Sequence, residues 1–116
     1  MFCMTSLTPV AEAACCAPLT REPLTTDQAD DLARALKALA DPTRLRLISI
    51  VAASEGEEAC VCDLIEPIGL GQSTVSHHLK ILMDAGFLTR SKRGTWAYYR
   101  LVPGALDSIS RLLVTA

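Results

Sequence analysis

The stretch that decides the fold of this chain is Gly71-Gln72-Ser73-Thr74-Val75-Ser76-His77-His78-Leu79-Lys80-Ile81-Leu82. Within it, Val75, Leu79 and Leu82 fall at positions i, i+4 and i+7, so they share one face of an α-helix. The rest of the helix surface carries polar residues, namely Gln72, Ser73, Thr74, Ser76, His77 and Lys80. Short hydroxyl and amide side chains near a helix start can hydrogen-bond phosphate oxygens and base edges. The pattern predicts a DNA-reading helix; the alternative is an amphipathic helix with a solvated polar face.

A second helix and a tight turn precede this segment. Residues 62–68 have the pattern of a short helix, and Gly69 and Gly71 after it permit a sharp change of direction. Together these segments predict a helix-turn-helix in which the second helix is the recognition helix. Because Cys60 and Cys62 stand at the start of the first helix, a pair of thiols is expected close to the DNA-reading element.

Two β-rich segments follow the recognition helix. Residues 87–91 and 96–101 favour strands and flank a basic turn, Lys92-Arg93-Gly94. A hairpin at this place forms the wing of a winged helix-turn-helix, so the predicted fold class is α+β, mostly α, with about five helices. The basic residues near the tip are candidates for neutralising phosphates or entering a minor groove, and the alternative is a solvated polar turn; they are Arg90, Lys92 and Arg93.

The distribution of charge supports a DNA-binding face, although the formal net charge is −2. Residues 1–71 carry eleven acidic and five basic side chains, a balance of −6. Residues 72–100 carry one acidic and five basic side chains, a balance of +4. Because DNA binding depends on the surface that docks, we expect the recognition helix and the wing to form the basic footprint. The acidic remainder argues against broad nonspecific affinity.

The chain is predicted to consist of an arm over residues 1–24 and one winged helix-turn-helix domain over residues 25–116. The arm contains three prolines and little periodicity, so it is expected to be mobile when nothing holds it. A length of 116 residues accommodates one domain.

Three further helices are predicted from caps and apolar spacing. Thr25 and Gln28 have the spacing of a capping box, and Asp41-Pro42 ends one helix and starts the next. Pro103 is expected to open the last helix, and residues 54–58 are expected to form a polar loop. The apolar residues expected to share faces are, in chain order, Leu32, Leu36 and Leu39; Leu45, Ile48 and Val51 or Ala52; and Leu106, Ile109 and Leu113.

The apolar stripes of the first and last helices exceed what a monomer of this size readily covers. Pairing them across a twofold axis would bury them, and it would present two recognition helices about 34–36 Å apart, which matches successive major grooves. We therefore expect a homodimer on double-stranded DNA. The alternative is that the stripes close a monomeric core.

Composition argues against several other classes of protein. No apolar run approaches the roughly 20 residues of a membrane span, and the first sixteen residues lack a basic leader, so a cytoplasmic location without a membrane partner is expected. Five cysteines do not resemble a disulfide framework, and cytoplasmic thiols stay available for metal or redox chemistry. No oriented nucleophile or phosphate loop is visible, so neither an enzyme, a small organic substrate nor an organic cofactor is expected.

Four segments in order resemble the ArsR/SmtB family of bacterial metal-sensing repressors over residues 26 to about 113. The segments are Lys37-Ala38-Leu39-Ala40-Asp41-Pro42-Thr43-Arg44-Leu45-Arg46-Leu47, Cys60-Val61-Cys62-Asp63-Leu64, Gln72-Ser73-Thr74-Val75-Ser76-His77-His78-Leu79-Lys80 and Ala85-Gly86-Phe87-Leu88. The resemblance implies a homodimeric winged-helix repressor that sits on an operator and is released when an inducer metal binds.

The cysteines indicate which inducer to expect. Thiolate ligands select soft or thiophilic ions such as As(III), Sb(III), Cd(II) or Pb(II). Some arsenite sensors of the family carry a third cysteine on the same helix, but Ile65 occupies that position here. A trivalent metalloid needs three sulfurs, so Cys15 and Cys16 in the arm are the expected source of the third. The alternative readings are two small buried hydrophobes at Cys60 and Cys62 and an incidental dithiol in the arm.

The sequence therefore predicts a repressor that As(III) or Sb(III) releases from its operator by binding at Cys15, Cys16, Cys60 and Cys62. Two alternatives keep the same fold, namely a thiol-redox repressor and a Cd(II)- or Pb(II)-responsive repressor. A cytosolic metalloid-binding carrier, in which the DNA-reading helix would be vestigial, is the alternative from another class.

Overall fold

The computed structural model describes residues 18–115. In this range the chain forms five α-helices and three strands. In chain order they are α1 Thr26–Leu39, α2 Pro42–Ala53, β1 Glu58–Cys60, α3 Val61–Ile68, α4 Gln72–Asp84, β2 Leu88–Arg93, β3 Trp96–Leu101 and α5 Ala105–Leu113. The predicted winged helix-turn-helix with about five helices is confirmed.

The N-terminal ends of α1 and α2 form as their capping residues predict. The backbone N–H of Gln28 donates to Thr25 Oγ1 at 3.1 Å, and the backbone N–H of Thr25 donates to Gln28 Oε1 at 2.9 Å, which completes the capping box. Asp41 Oδ2 accepts from the backbone N–H of Arg44 at 3.1 Å, with Pro42 at the first helical position. The prediction for α5 was less accurate, because the helix begins at Ala105 with Gly104 as its N-cap rather than at Pro103.

The recognition helix α4 packs on the core through the face that its spacing predicts. Val75, Leu79 and Leu82 are fully buried, and Phe87, just beyond the helix, is buried with them. Helix α3 ends at Gly69, whose φ of 78° lies in the left-handed region that glycine adopts without steric cost. This turn orients α4 so that its polar faces remain at the surface.

The faces of the other helices were predicted less well. Leu45, expected in the buried stripe of α2, is 52% exposed, whereas Leu47 is buried beside the correctly predicted Ile48 and Val51. In α1 the buried positions include Ala35 and Ala38 as well as Leu32; in α5 they include Leu112. Leu36 and Leu113 remain 36% and 49% exposed, as expected if the stripes of these two helices exceed what one protomer covers.

The sheet contains a strand that the sequence analysis did not predict. Residues 54–58 were expected to be a loop, but a 3-10 turn over Glu55–Glu57 leads into β1, whose first residue is Glu58. The strand order is β1–β3–β2, and β1 pairs antiparallel with β3 so that Glu58, Ala59 and Cys60 lie opposite Arg100, Tyr99 and Tyr98. A three-residue strand is too short to show alternation, so its pairing with β3 defines it.

The wing turn lies further along the chain than predicted. Lys92 and Arg93 belong to β2, and Arg93 pairs with Trp96, so the turn consists of Gly94 and Thr95. Gly94 has a φ of 66°, a conformation that explains glycine at this position. Lys92 and Arg93 therefore lie on opposite faces of the hairpin, because successive strand residues alternate.

The described end of the predicted arm lies against the last helix. The backbone N–H of Leu19 donates to the carbonyl oxygen of Leu112 at 2.9 Å, and Leu19 and Leu24 pack on the core. The boundary at residue 24 stays a prediction, and Cys15 and Cys16 lie outside the described residues. Between residues 18 and 115, no helix is long and apolar enough to cross a membrane.

Candidate nucleic-acid interface and thiol pair

The polar face of α4 is open at the surface of the protein. Most of its predicted DNA contacts are exposed and Ser76 is half-buried; the exposed ones are Gln72, Ser73, Thr74, His77 and Lys80. Gly71 is the N-cap, and no described side chain caps the helix start. The first backbone N–H groups of α4 are therefore available to a phosphate oxygen, which the helix dipole also favours.

Lys80 forms an ion pair that is exposed to solvent. Its Nζ lies 3.1 Å from Asp84 Oδ2, and both side chains are largely exposed. Exposed pairs at this spacing contribute little to stability because water and salt screen them. Lys80 can therefore exchange Asp84 for a DNA phosphate at little cost.

The three basic wing residues are not equivalent. Arg90 and Lys92 are exposed and make no ion pair with any residue between 18 and 115. Arg93 instead donates from Nη2 to Glu58 Oε2 at 2.7 Å, and its guanidinium lies 4.5 Å from the centroid of the Tyr98 ring. The structure thus leaves two of the predicted phosphate contacts available and binds the third to strand β1.

Arg44 connects the recognition helix to the end of α1. Its Nε donates to the carbonyl oxygen of Ala38 at 2.6 Å, Nη2 donates to that of Lys37 at 3.3 Å, and Nη1 lies 3.1 Å from His78 Nδ1. Because a guanidinium can only donate, Nδ1 of His78 is the acceptor in this contact. His78 is half-buried, whereas His77 is exposed, as its place on the predicted polar face implies.

Replacing Arg44 with lysine should lower the free energy of unfolding by about 1–3 kcal/mol, because a single ammonium nitrogen cannot reach three acceptors that the guanidinium contacts through three separate nitrogens. Urea denaturation followed by circular dichroism measures this change. Arg46→Lys on the same helix is the matched control, because Arg46 is exposed and, among residues 18–115, makes one hydrogen bond, to the carbonyl oxygen of Pro67. Equal losses in the two variants would contradict the bridging role of Arg44.

The two cysteines of the Cys-x-Cys segment meet at the start of α3. Cys60 is the last residue of β1 and the N-cap of α3, with extended backbone, so it lies just outside the helix. Its Cα is 5.1 Å from that of Cys62, and the two sulfur atoms are paired as a disulfide. The backbone N–H of Cys62 also donates to Cys60 Sγ at 3.3 Å. Two residues that would diverge inside a helix therefore converge here, as expected for a loose first turn.

The environments of the two sulfurs differ. Cys60 is 1% exposed, whereas Cys62 is exposed. A helix N-terminus favours the thiolate form of a cysteine, and Cys62 is the more accessible of the two for nucleophilic or metal-binding chemistry when the pair is reduced. Within residues 18–115, no three His, Cys, Asp or Glu side chains form a group that could hold a metal ion. The predicted third sulfur, from Cys15 or Cys16, falls outside this range.

Three functional candidates were missed by the sequence analysis, namely Glu58, Arg44 as a bridge, and Tyr98. Arg44 and His78 are 34 residues apart and Glu58 and Arg93 are 35 apart, and no periodic signal links residues at such distances. The basic turn did mark Arg93, but only the pairing of β1 with β3 brings Glu58 to it.

Comparison with known proteins decides the family. A model described as bacterial regulatory protein, arsR family, matches residues 41–90, which include both helices of the helix-turn-helix. An uncharacterized HTH-type transcriptional regulator of Methanocaldococcus jannaschii is 40% identical over 81 residues, which make up 70% of this chain and 89% of that protein. The chain belongs to the arsR family. Its winged helix-turn-helix is the DNA-binding part of a transcriptional regulator whose partner is double-stranded operator DNA.

Other arsR-family relatives add detail. The arsenical resistance operon repressor of Bacillus subtilis is 46% identical over 65 residues, so the match spans 56% of this chain and 60% of that protein. A homodimeric winged helix-turn-helix DNA-binding domain from Mycobacterium bovis, solved by NMR, is 28% identical with a TM-score of 0.62. That match covers 78% of this chain and 79% of the solved one.

Proposed function

We propose that this arsR-family regulator is a metalloid-responsive repressor, which binds its operator as a homodimer and leaves it when cysteine thiolates capture As(III) or Sb(III). The observation that carries this proposal is the meeting of the Cys60 and Cys62 sulfurs at the first helix of the helix-turn-helix. The Bacillus subtilis relative, named an arsenical resistance operon repressor, supports the choice of metalloid. The cytoplasm, where DNA and reduced thiols occur together, is the proposed location.

The donor set fits a soft metalloid. Once the disulfide is reduced, Cys60 and Cys62 can offer two thiolates to one ion, because their Cα atoms are 5.1 Å apart. Thiolates favour As(III) and Sb(III) over ions that prefer oxygen ligands. We assign the third sulfur to Cys15 or Cys16, because position 65 is isoleucine and the described residues complete no three-ligand group.

Homodimerisation is supported by the apolar surface of the outer helices. Leu36 on α1, Leu113 at the end of α5 and Val114 beside it are exposed large hydrophobic residues. The Mycobacterium bovis domain is described as homodimeric. A twofold dimer would set two recognition helices about 34–36 Å apart, one for each half of a pseudo-palindromic operator.

Release from DNA follows from linkage between two binding equilibria. Capture of the metalloid fastens thiols at the start of α3, the helix that precedes α4, and so favours an arrangement of the two recognition helices that fits the operator less well. A ligand shifts such an equilibrium only by its difference in affinity for the two states, typically about 1–3 kcal/mol.

The sulfur–sulfur contact also favours a second candidate, a thiol-redox repressor of the same fold. In that case Cys60 and Cys62 would lose two electrons and two protons to a peroxide, forming one disulfide and releasing water and an alcohol or a second water. Their Cα separation lies within the range that a disulfide needs.

Operator binding by the reduced protein, measured by fluorescence anisotropy with and without arsenite, tests the proposed function. We expect two chains per duplex and about 5- to 150-fold weaker binding with arsenite, because that range corresponds to the usual coupling energy. Unchanged affinity under full reduction would refute metalloid release. Release by peroxide alone, reversed by dithiothreitol, would identify the redox repressor.

A further inference from the structure

The wing arginine Arg93 contacts two groups of the same protomer at once, although much of its side chain is exposed. Its guanidinium donates to Glu58 at 2.7 Å and lies over the ring of Tyr98 at 4.5 Å. Glu58 is 16% exposed, whereas Arg93 is 54% exposed, so the carboxylate is the fixed partner and the arginine the movable one. We call Glu58, Tyr98 and Arg93 the wing clamp.

The wing clamp lies on the same face of the sheet as Cys60. Cys60 is directly opposite Tyr98 across the β1–β3 ladder, and Ser91 is opposite Tyr98 on the other side. Directly paired residues of antiparallel strands share a face, and residues two further along are diagonal neighbours. Glu58 and Arg93 are both in such diagonal positions relative to Tyr98. On β3, Tyr98 therefore lies in register between Cys60 on β1 and Ser91 on β2, and the Arg93 guanidinium lies over its ring.

Glu58 can release Arg93 without being left unpaired. Arg100, its direct partner across the ladder, places Nε 3.8 Å from the same carboxylate oxygen. Opening the clamp thus leaves Glu58 beside one cation and frees the other. A DNA phosphate offers Arg93 a comparable acceptor, and more than half of the arginine side chain is already exposed. The carboxylate and the DNA backbone compete for one guanidinium.

We propose that Glu58 is an intramolecular competitor for DNA at Arg93, and that Tyr98 couples this competition to the state of the thiols. In the structure the two sulfurs form a disulfide and Arg93 is paired with Glu58, which is the closed state of the wing clamp. A bond at the Cys60 sulfur, to Cys62 or to a metalloid, favours the closed clamp and so removes one phosphate contact from the wing. Free thiols allow Arg93 to turn to DNA. The coupling to the thiols, unlike the competition itself, rests on the proposed function.

A double-mutant cycle on operator affinity tests the competition. Glu58→Gln should tighten operator binding about two- to five-fold, the range of a single exposed ion pair, in the chain that keeps Arg93. In an Arg93→Ala background, the same change should have no such effect. Glu55→Gln is the matched control, because Glu55 is exposed and precedes β1, and this substitution removes the same charge. It should alter affinity equally in both backgrounds.

If Glu58→Gln tightens binding equally with and without Arg93, the competition is overturned. Arsenite then tests the coupling, and it should release Glu58→Gln from the operator less than it releases Glu55→Gln. Equal release would overturn the coupling while the competition stands. Failure of arsenite to release the unmodified protein would instead count against the proposed function, and the double-mutant cycle remains interpretable in that case.

Discussion

Replacing Cys60 with serine is expected to leave operator binding intact and to abolish its weakening by arsenite. Serine is among the preferred N-cap residues, and its hydroxyl can accept from the backbone N–H of Cys62 as the Cys60 sulfur does at 3.3 Å. Helix α3 should therefore still form, while the metalloid loses a thiolate. If the proposed function holds, the ratio of operator dissociation constants with and without arsenite should fall from about 5–150 to near one.

This ratio is measured by fluorescence anisotropy on one labelled operator duplex under reducing conditions. Cys62→Ser provides an independent variant at an exposed position and should behave in the same way. Cys3→Ser is the matched control, since Cys3 is not assigned to the site, and it should respond to arsenite like the unmodified protein. A Cys60→Ser protein that arsenite still releases in full would remove Cys60 from the inducer site.

The second large effect is expected at the start of the recognition helix. Gln72 is exposed at the first position of α4, where an amide can donate to and accept from a base edge. Gln72→Ala should weaken operator binding by about 1–3 kcal/mol, and it should leave binding to unrelated duplex DNA nearly unchanged. The two affinities are measured side by side at one salt concentration, because phosphate contacts make both of them depend on salt.

Lys92→Ala on the wing is the comparison for that variant. Lys92 is exposed and makes no ion pair within residues 18–115, so its contribution should be to phosphates. Its loss should weaken binding to operator and unrelated DNA alike. The slope of log K against log salt concentration should fall in magnitude by about 0.9, the value for one phosphate contact. If Gln72→Ala weakened both DNAs equally, Gln72 would not read a base.

Local patterns were sufficient to predict most of the elements that carry function. The capping box at Thr25, the cap at Asp41 and the spacing of Val75, Leu79 and Leu82 all hold in the structure. Each depends on interactions between residues at most seven apart, so it can be recognised from neighbouring letters of the sequence. The convergence of Cys60 and Cys62 at a helix start is of the same kind.

Sequence patterns gave the wrong result where contacts with distant parts of the chain decide which residue is buried or paired. Leu45 and Leu47 are both apolar and close in sequence, and only the packing of α2 against the rest of the core selects Leu47 for burial. The wing turn was predicted at Lys92 and Arg93 because both are polar. In the structure they belong to β2, and Arg93 pairs with Trp96. A polar residue at an exposed strand end has no local signature that separates it from a turn.

By itself, the sequence determined the helix-turn-helix, the wing, the basic face and the position of the thiol pair, because helix periodicity, caps and charge are properties of neighbouring residues. Only the tertiary structure determined that β1 joins the wing, that Glu58 holds Arg93 and that Arg44 links α1 to His78. Those contacts join residues more than thirty positions apart. These contacts form only after the chain has closed the long loops between the contacting residues, so no pattern of neighbouring residues encodes them.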